Sequence, residues 1–198
     1  MRVVLATANP GKQREFAALL APFGLELLLQ SALGIEATAE TGASFAANAL
    51  LKAAHAAARS GLAALADDSG LEVDALDGRP GIHSARFAGE GASDTANNER
   101  LLQELQAVTE PAQRTARYRC VLALVRGPAD PAPVFAHGSW EGHIAHQPRG
   151  SGGFGYDAWF VPAGSGISAA QLSAEQKNLV SHRGLALRAL ARQLPAWR

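Results

Sequence analysis

The sequence predicts an α/β fold built on a mixed sheet. Two observations carry this expectation. Short apolar runs alternate with helix-spaced segments through the first half of the chain, and two long strand-like stretches joined by a turn-rich connection follow in the second half. With 198 residues and 47% hydrophobic content, the chain can bury one sizeable core, and the domain-size prior favours a single domain over residues 1–198 with room for two lobes.

Residues 2–6 form a valine-rich apolar run, followed by Asn9-Pro10-Gly11 and then by Phe16, Leu19 and Leu20 at helical spacing, which reads as strand, turn, helix. Residues 25–29 read as a second strand. Residues 43–59 read as an alanine-rich helix closed by Gly61 as its C′ glycine. The apolar run 62–66 is expected to stop at Asp67-Asp68-Ser69-Gly70, and 71–91 reads as irregular active-site wall. Leu101, Leu102 and Leu105 mark a further helix. Residues 115–125 and 133–146 flank Gly127-Pro128-Ala129-Asp130-Pro131 as the strands of a hairpin, and 157–161 read as another strand. Ser173 with Gln176 has the form of a capping box, and leucines at 185, 187, 190 and 194 mark a last helix over 184–194.

Composition narrows the function classes. Eighteen basic and eighteen acidic residues give no overall field to draw the chain to nucleic acid or to an anionic membrane, so any anion site must be local. The single Cys120 cannot form a disulfide within the chain, and its alternating apolar surroundings predict a buried, inert thiol, which fits a reducing cytosol. The start Met1-Arg2-Val3-Val4-Leu5-Ala6-Thr7 lacks a long apolar targeting segment, and no later run reaches membrane-span length.

Four stretches carry candidate chemistry. In Thr7-Ala8-Asn9-Pro10-Gly11-Lys12, Asn9 suits an N-cap, Pro10 suits N1, and unpaired helix-start amides with Lys12 suit a phosphate. The plainer alternative is a capped helix with a solvated lysine. Asp67 and Asp68 stand where a strand ends, with Glu40 just before the alanine-rich helix, and carboxylates of this kind suit magnesium. Taken alone, Asp-Asp-Ser-Gly is also an ordinary turn. Asn48 and Lys52, four apart, share one face of that helix. The loop Gly150-Ser151-Gly152-Gly153-Phe154-Gly155-Tyr156-Asp157 contains G-x-G-x-x-G but lacks the strand before and helix after that a dinucleotide site needs. It better suits a flat base sliding against an aromatic ring, the alternative being a tight turn with core aromatics. Finally, Lys177 and Ser181-His182-Arg183-Gly184 cluster donors around a helix start.

Taken in order with Glu40-Thr41-Gly42, Asn48 to Lys52, Ala66-Asp67-Asp68-Ser69-Gly70, Pro80-Gly81-Ile82 and Ser84-Ala85-Arg86, these motifs resemble the inosine/xanthosine triphosphate pyrophosphatase family across nearly the whole chain. The resemblance implies a cytoplasmic homodimer of two-lobed α/β subunits, each a mixed twisted sheet flanked by helices with a cleft between the lobes. It also implies a magnesium ion and cleavage of non-standard purine triphosphates (ITP, dITP, XTP) to monophosphate plus pyrophosphate. By that resemblance Thr7, Ala8, Asn9, Pro10, Gly11, Lys12 and Lys52 hold the phosphates, Ser69 binds the substrate, Glu40 and Asp68 carry the metal directly or through water, and Asp68 also orients the attacking water. Phe154 stacks on the purine with Gly155 and Tyr156 beside it, while Asp157, Lys177, His182 and Arg183 surround its edges. The rivals are a pyrophosphatase for other modified nucleotides and a nucleotide-binding regulator that does not hydrolyse. A nucleic-acid module is disfavoured by the zero net charge.

Overall fold

The computed structural model describes residues 2–21 and 24–197, with side chains described through residue 194. Six strands, β1 (Arg2–Leu5), β2 (Glu26–Leu29), β3 (Ala63–Val73), β4 (Thr115–Val125), β5 (Val134–Ile144) and β6 (Phe160–Pro162), form one sheet in the order β2-β1-β3-β4-β5-β6. β1 runs parallel to both β2 and β3, and β6 runs antiparallel to β5, so the sheet is mixed. The helices are α1 (Pro10–Leu20), α2 (Phe45–Ser60), α3 (Asp94–Glu104), α4 (Ala174–Val180) and α5 (His182–Trp197).

The chain divides into two compact units. The first comprises residues 1–68, 120–138 and 183–198, and the second comprises 69–119 and 139–182. Within the first, β1 is covered on both faces, which is why it reads as continuous valine and leucine rather than as an alternation. Val3 and Leu5 pack with Phe16 and Leu20 of α1 and with Leu187 and Leu190 of α5. Val4, on the other face, packs with Ala49, Ala53, Ala56 and Ala57 of α2 and with Ala64 and Ala66 of β3. Those four alanines are fully buried, and their small side chains let α2 lie close against the sheet. Ser44 caps α2 by accepting from the Ala47 amide, and Gly61, at φ 69°, closes it in the left-handed conformation expected of a C′ glycine. The second unit has its own core of Leu71, Leu101, Leu105, Tyr118, Trp140, Tyr156 and Phe160.

Four elements differ from the expectation. β3 does not stop at Asp67 but runs on through Asp67-Asp68-Ser69-Gly70 to Val73. The turn composition is overridden because both carboxylates find cationic partners, as described below, and the backbone need not turn to expose them to water. The segment 71–91 is not wholly irregular, since it begins with the end of β3 and contains 3-10 turns at Asp74–Leu76 and Gly81–Arg86. β6 is shorter than 157–161, because the Asp157 amide donates to Phe154 O and the Trp159 amide to Tyr156 O, committing those residues to a turn. α5 starts at His182 rather than 184. The capping box at Ser173 and Gln176 is present, and Cys120 is buried, its thiol pushed up to about 12 by that burial.

The close packing of α2 makes its inner face intolerant of volume. Ala53→Leu is expected to lower stability by about 1–3 kcal/mol through overpacking, whereas Ala58→Leu on the exposed face should change it by about 0.5 kcal/mol or less. Urea midpoints of the two variants measure the difference.

Candidate active site

Asp67 and Asp68 are neighbours in a strand, so their side chains leave β3 on opposite faces. Asp67 points to the face that carries α1 and α5. Lys12 Nζ lies 2.7 Å from its Oδ2 and an Arg183 guanidinium nitrogen 3.4 Å from the same oxygen, while Arg183 also pairs with Glu15. Lys12 and Glu15 are three apart on α1 and therefore share a face. Burial pushes the Asp67 carboxyl up, but the charges of Lys12, Arg183 and Lys52 more than offset it and hold it well below the usual carboxylate range. Burial likewise works against the Arg183 charge, and Asp67 with Glu15 reverses the effect.

Asp68 points to the α2 side. Its Oδ1 lies 3.3 Å from Lys52 Nζ, and its Oδ2 accepts from Asn48 Nδ2 at 3.1 Å. The same Lys52 ammonium donates to Glu40 Oε1 at 2.6 Å. Asn48, fully buried, also accepts the Gly42 amide at 2.8 Å, so one side chain ties the loop carrying Glu40 to Asp68. A Cβ at Gly42 would come within 2.7 Å of Asn48 Oδ1, which is why this position takes glycine. Burial raises the Asp68 pKa and the Glu40 charge adds to that, against the opposing pull of Lys52 and the Asn48 hydrogen bond. The Lys52 pKa is raised although burial acts to lower it, because Asp67, Asp68 and Glu40 all favour its charge. The two upward shifts have different causes, burial together with Glu40 for Asp68 and the surrounding carboxylates for Lys52.

At the start of α1 the Asn9 side chain accepts from the amides of Gly11 at 2.8 Å and Lys12 at 3.2 Å. The Asn9 amide donates to Thr7 Oγ1, and Gln13 Nε2 donates to Thr7 O. This corrects the expectation of unpaired amides at this helix start. Asn9 already takes two of them, so an anion here would rely on the helix dipole and Lys12. Ala8, Asn9 and Pro10 are exposed, while Thr7 and Gly11 are buried.

In the second unit, Asp157 Oδ2 accepts from Lys177 Nζ at 2.6 Å and from the Phe154 amide at 3.0 Å. Lys177 Nζ also stands 4.8 Å from the centre of the Phe154 ring, within cation–π range. Gly153 has φ 73°, and a Cβ there would collide with the Asp157 carboxylate. Phe154, Gly155 and Ser69 are partly exposed. Tyr156, expected beside the base, is 4% exposed, packs in the second core, and donates its hydroxyl to Ser84 O at 2.8 Å. His182 is buried and stacked on Tyr118, with ring centres 4.7 Å apart and planes 10° from parallel. Arg183 falls in the first unit, where it pairs with Asp67 and Glu15.

Lys12, Glu40, Lys52 and Asp68 therefore gather within the first unit, and Phe154, Asp157 and Lys177 within the second. The sequence grouped Asp67 with the carboxylates suited to magnesium rather than with Lys12 and Arg183, and it gave Glu15 no task, although the Lys12 to Glu15 spacing places that pair on one helix face. Asn48 stood out only as part of a polar stripe. Nothing in the pattern marked Tyr118 as the stacking partner of His182.

Fold and cluster together define an α/β protein with a densely charged, partly buried centre of lysines and carboxylates. Residues 3–193 match the Ham1 family. The chain is 55% identical over 195 residues to a dITP/XTP pyrophosphatase of Methylococcus capsulatus, covering 98% of this chain and 96% of that protein. It is 56% identical over 187 residues to a dITP/XTP pyrophosphatase of Yersinia pseudotuberculosis, covering 94% of each. Among solved structures, a HAM1 protein from Coxiella burnetii superposes with a TM-score of 0.91 at 42% identity over 99% of each chain. The Ham1 protein of Staphylococcus aureus superposes with a TM-score of 0.86 at 38% identity over 100% of each. The chain belongs to the Ham1 family.

Asp67 acts as a buried counter-charge. Asp67→Asn should cost about 3–5 kcal/mol, the scale of leaving buried cations uncompensated. Because its folded-state pKa is depressed, this stabilisation is present above the ordinary aspartate value of about 4 and is lost as pH falls through the depressed value. Urea denaturation of wild type and variant at neutral and acid pH measures both, with the gap between them closing toward low pH.

Proposed function

We propose that this chain hydrolyses non-standard purine nucleoside triphosphates, with ITP, dITP and XTP as substrates, to the monophosphate and pyrophosphate. The observation that carries the reading is the single cluster in which Lys52 bridges Glu40 and Asp68 while Lys12 stands on the adjacent Asp67. The names of the full-length relatives support the same activity.

The cluster bears on the need for a metal. Lys12, Lys52 and Arg183 face Glu15, Glu40, Asp67 and Asp68, one more carboxylate than cation among the described ion pairs. Glu40 and Asp68 share the Lys52 ammonium, and a divalent cation beside them would offset the repulsion that two carboxylates exert on a polyphosphate. Among the described residues no group of three or more His, Cys, Asp or Glu side chains is arranged to hold a metal ion. The pair Glu40 and Asp68 fits a hard divalent cation whose remaining ligands are water and substrate phosphates, and we assign magnesium to it. When bound, the ion supplies positive charge to the polyphosphate and its pyrophosphate leaving group.

The protein's own groups do the rest. Lys12 and the start of α1 attract the phosphates, and Lys52 adds a second charge that it shares with Glu40 and Asp68. Asn48 holds the Asp68 carboxylate in a fixed orientation, so that it can aim the attacking water and accept its proton as a phosphoanhydride bond breaks. A raised Asp68 pKa makes it the better proton acceptor of the two aspartates. In the second unit, Phe154 offers a face to the purine, and the Lys177 ammonium beside it can donate to a carbonyl at position 6. Adenine carries an amino group there, which would leave such a donor unpaired. Discrimination against guanine must act at position 2. A homodimer in the cytosol is part of the same proposal.

Asp68→Asn is expected to lower kcat by about two orders of magnitude or more. Because the folded-state pKa of Asp68 is raised, its stabilising contribution belongs to the protonated form and is lost as pH rises through that value. The variant should therefore unfold at the same or a higher urea concentration at neutral pH, and near-normal turnover in it would remove the role assigned to this carboxylate. Pyrophosphate release from ITP, dITP, XTP, GTP and ATP, with chelator and then with magnesium restored, tests the substrate class. The first three should lead in kcat/KM and all activity should need the metal, whereas equal values for all five would defeat the assignment.

A further inference from the structure

The loop that carries Phe154 is held from outside by α3. Asp94 and Asn98 are four apart and so lie on one face of that helix. Asp94 Oδ2 accepts the Gly155 amide at 2.6 Å, and Asn98 Nδ2 donates to the Gly155 carbonyl at 3.0 Å and to the Asp94 carbonyl at 2.8 Å. The amide gripped by Asp94 belongs to the peptide that leaves Phe154, and the carbonyl gripped by Asn98 belongs to the next one. On its other side, the Phe154 amide is held by Asp157. Gly155 sits at φ 63°, yet a Cβ there would meet nothing within 4 Å. Glycine is therefore required by the backbone conformation rather than by space. Two side chains from a separate element are thus spent on one left-handed glycine next to the ring assigned to the base.

The helix is itself fixed on this side. Asn97, buried, accepts the Ala88 amide at 2.8 Å and donates to Ala85 O at 3.2 Å, so α3 is tied to the segment it packs beside while its neighbour Asn98 reaches the Phe154 loop. A charge-assisted hydrogen bond from a backbone amide to a carboxylate is among the stronger contacts a loop can make. Without it, Gly155 is held by Asn98 alone and gains conformational freedom, and the Phe154 ring is less firmly fixed.

We propose that Asp94 and Asn98 are positioning residues for purine recognition, clamping Gly155 so that Phe154 is preorganised to stack on the base. The proposal rests on the assignment of Phe154 to the purine made above. Neither residue touches the substrate. Both act through the Phe154 backbone, so their loss weakens binding of substrate and transition state alike and shows in KM rather than in kcat.

The test is steady-state kinetics with dITP on Asp94→Ala, Asp94→Asn, Asn98→Ala and the isosteric Asn98→Asp, each alone and combined with Phe154→Ala, with urea midpoints to establish folding. Asp94→Ala and both Asn98 variants should raise KM about tenfold with kcat changed by about threefold or less, the loss expected of one hydrogen bond to a charged group or its neighbour. Asp94→Asn should recover most of the loss, since its amide oxygen still accepts from Gly155. In the Phe154→Ala background none of these changes should raise KM further. Unchanged KM in Asp94→Ala and both Asn98 variants, or the same fold loss with and without Phe154, overturns the clamp while leaving the base assignment in place. Phe154→Ala with an unchanged KM removes the base assignment and the clamp with it. Should Asp94→Ala not fold, the Asn98→Asp variant keeps the helix start and side-chain shape, and its KM decides the matter.

Discussion

Two adjacent aspartates in the middle of a buried strand impose a requirement on everything around them. A strand sends consecutive side chains to opposite faces, so Asp67 and Asp68 take their direct ion pairs from different layers, while the Lys52 charge acts on both. The α1 and α5 layer answers with Lys12 and Arg183, and the α2 layer answers with Lys52. The positions of three helices in the first unit are thereby linked to two neighbouring residues. The same requirement explains why β3 can run straight through a tetrapeptide whose composition otherwise describes a turn.

The two faces are not equivalent, and the difference separates structure from chemistry. On the Asp67 face the cations outmatch the carboxylate, which is held ionised and behaves as a fixed counter-charge at the end of α1. On the Asp68 face one ammonium serves two carboxylates, so charge on Asp68 is disfavoured by burial and by Glu40. Such an imbalance destabilises the resting protein and is relieved when a cation or a proton arrives. It is the kind of local conflict found where a fold trades stability for function.

Much of the scaffold is legible in the chain because the determining interactions are local. Asn9, Ser44, Gly61 and the Ser173 to Gln176 pair each act within one helical turn of themselves, and their caps form as the residue types require. Lys12, Glu40, Lys52 and Asp68 could be picked out because their motifs recur in order. Tyr156 could not be told from a base contact, because an aromatic beside glycines looks the same whether it faces a ligand or a core. Its burial and its hydroxyl bond to Ser84, seventy-two residues away in the chain, appear only in the folded structure.

The class of fold, several helix caps and some residues of the charged centre can be read along the chain, since periodicity and capping depend on neighbours a few positions apart. Which carboxylate meets which cation, the run of β3 past Gly70, the pairing of Arg183 with Asp67 and Glu15 and the grip of α3 on Gly155 emerge with packing. Those outcomes depend on pairings between residues tens of positions or more apart. Charge and hydrogen-bond partners of that separation are chosen by packing, and no local pattern records the choice.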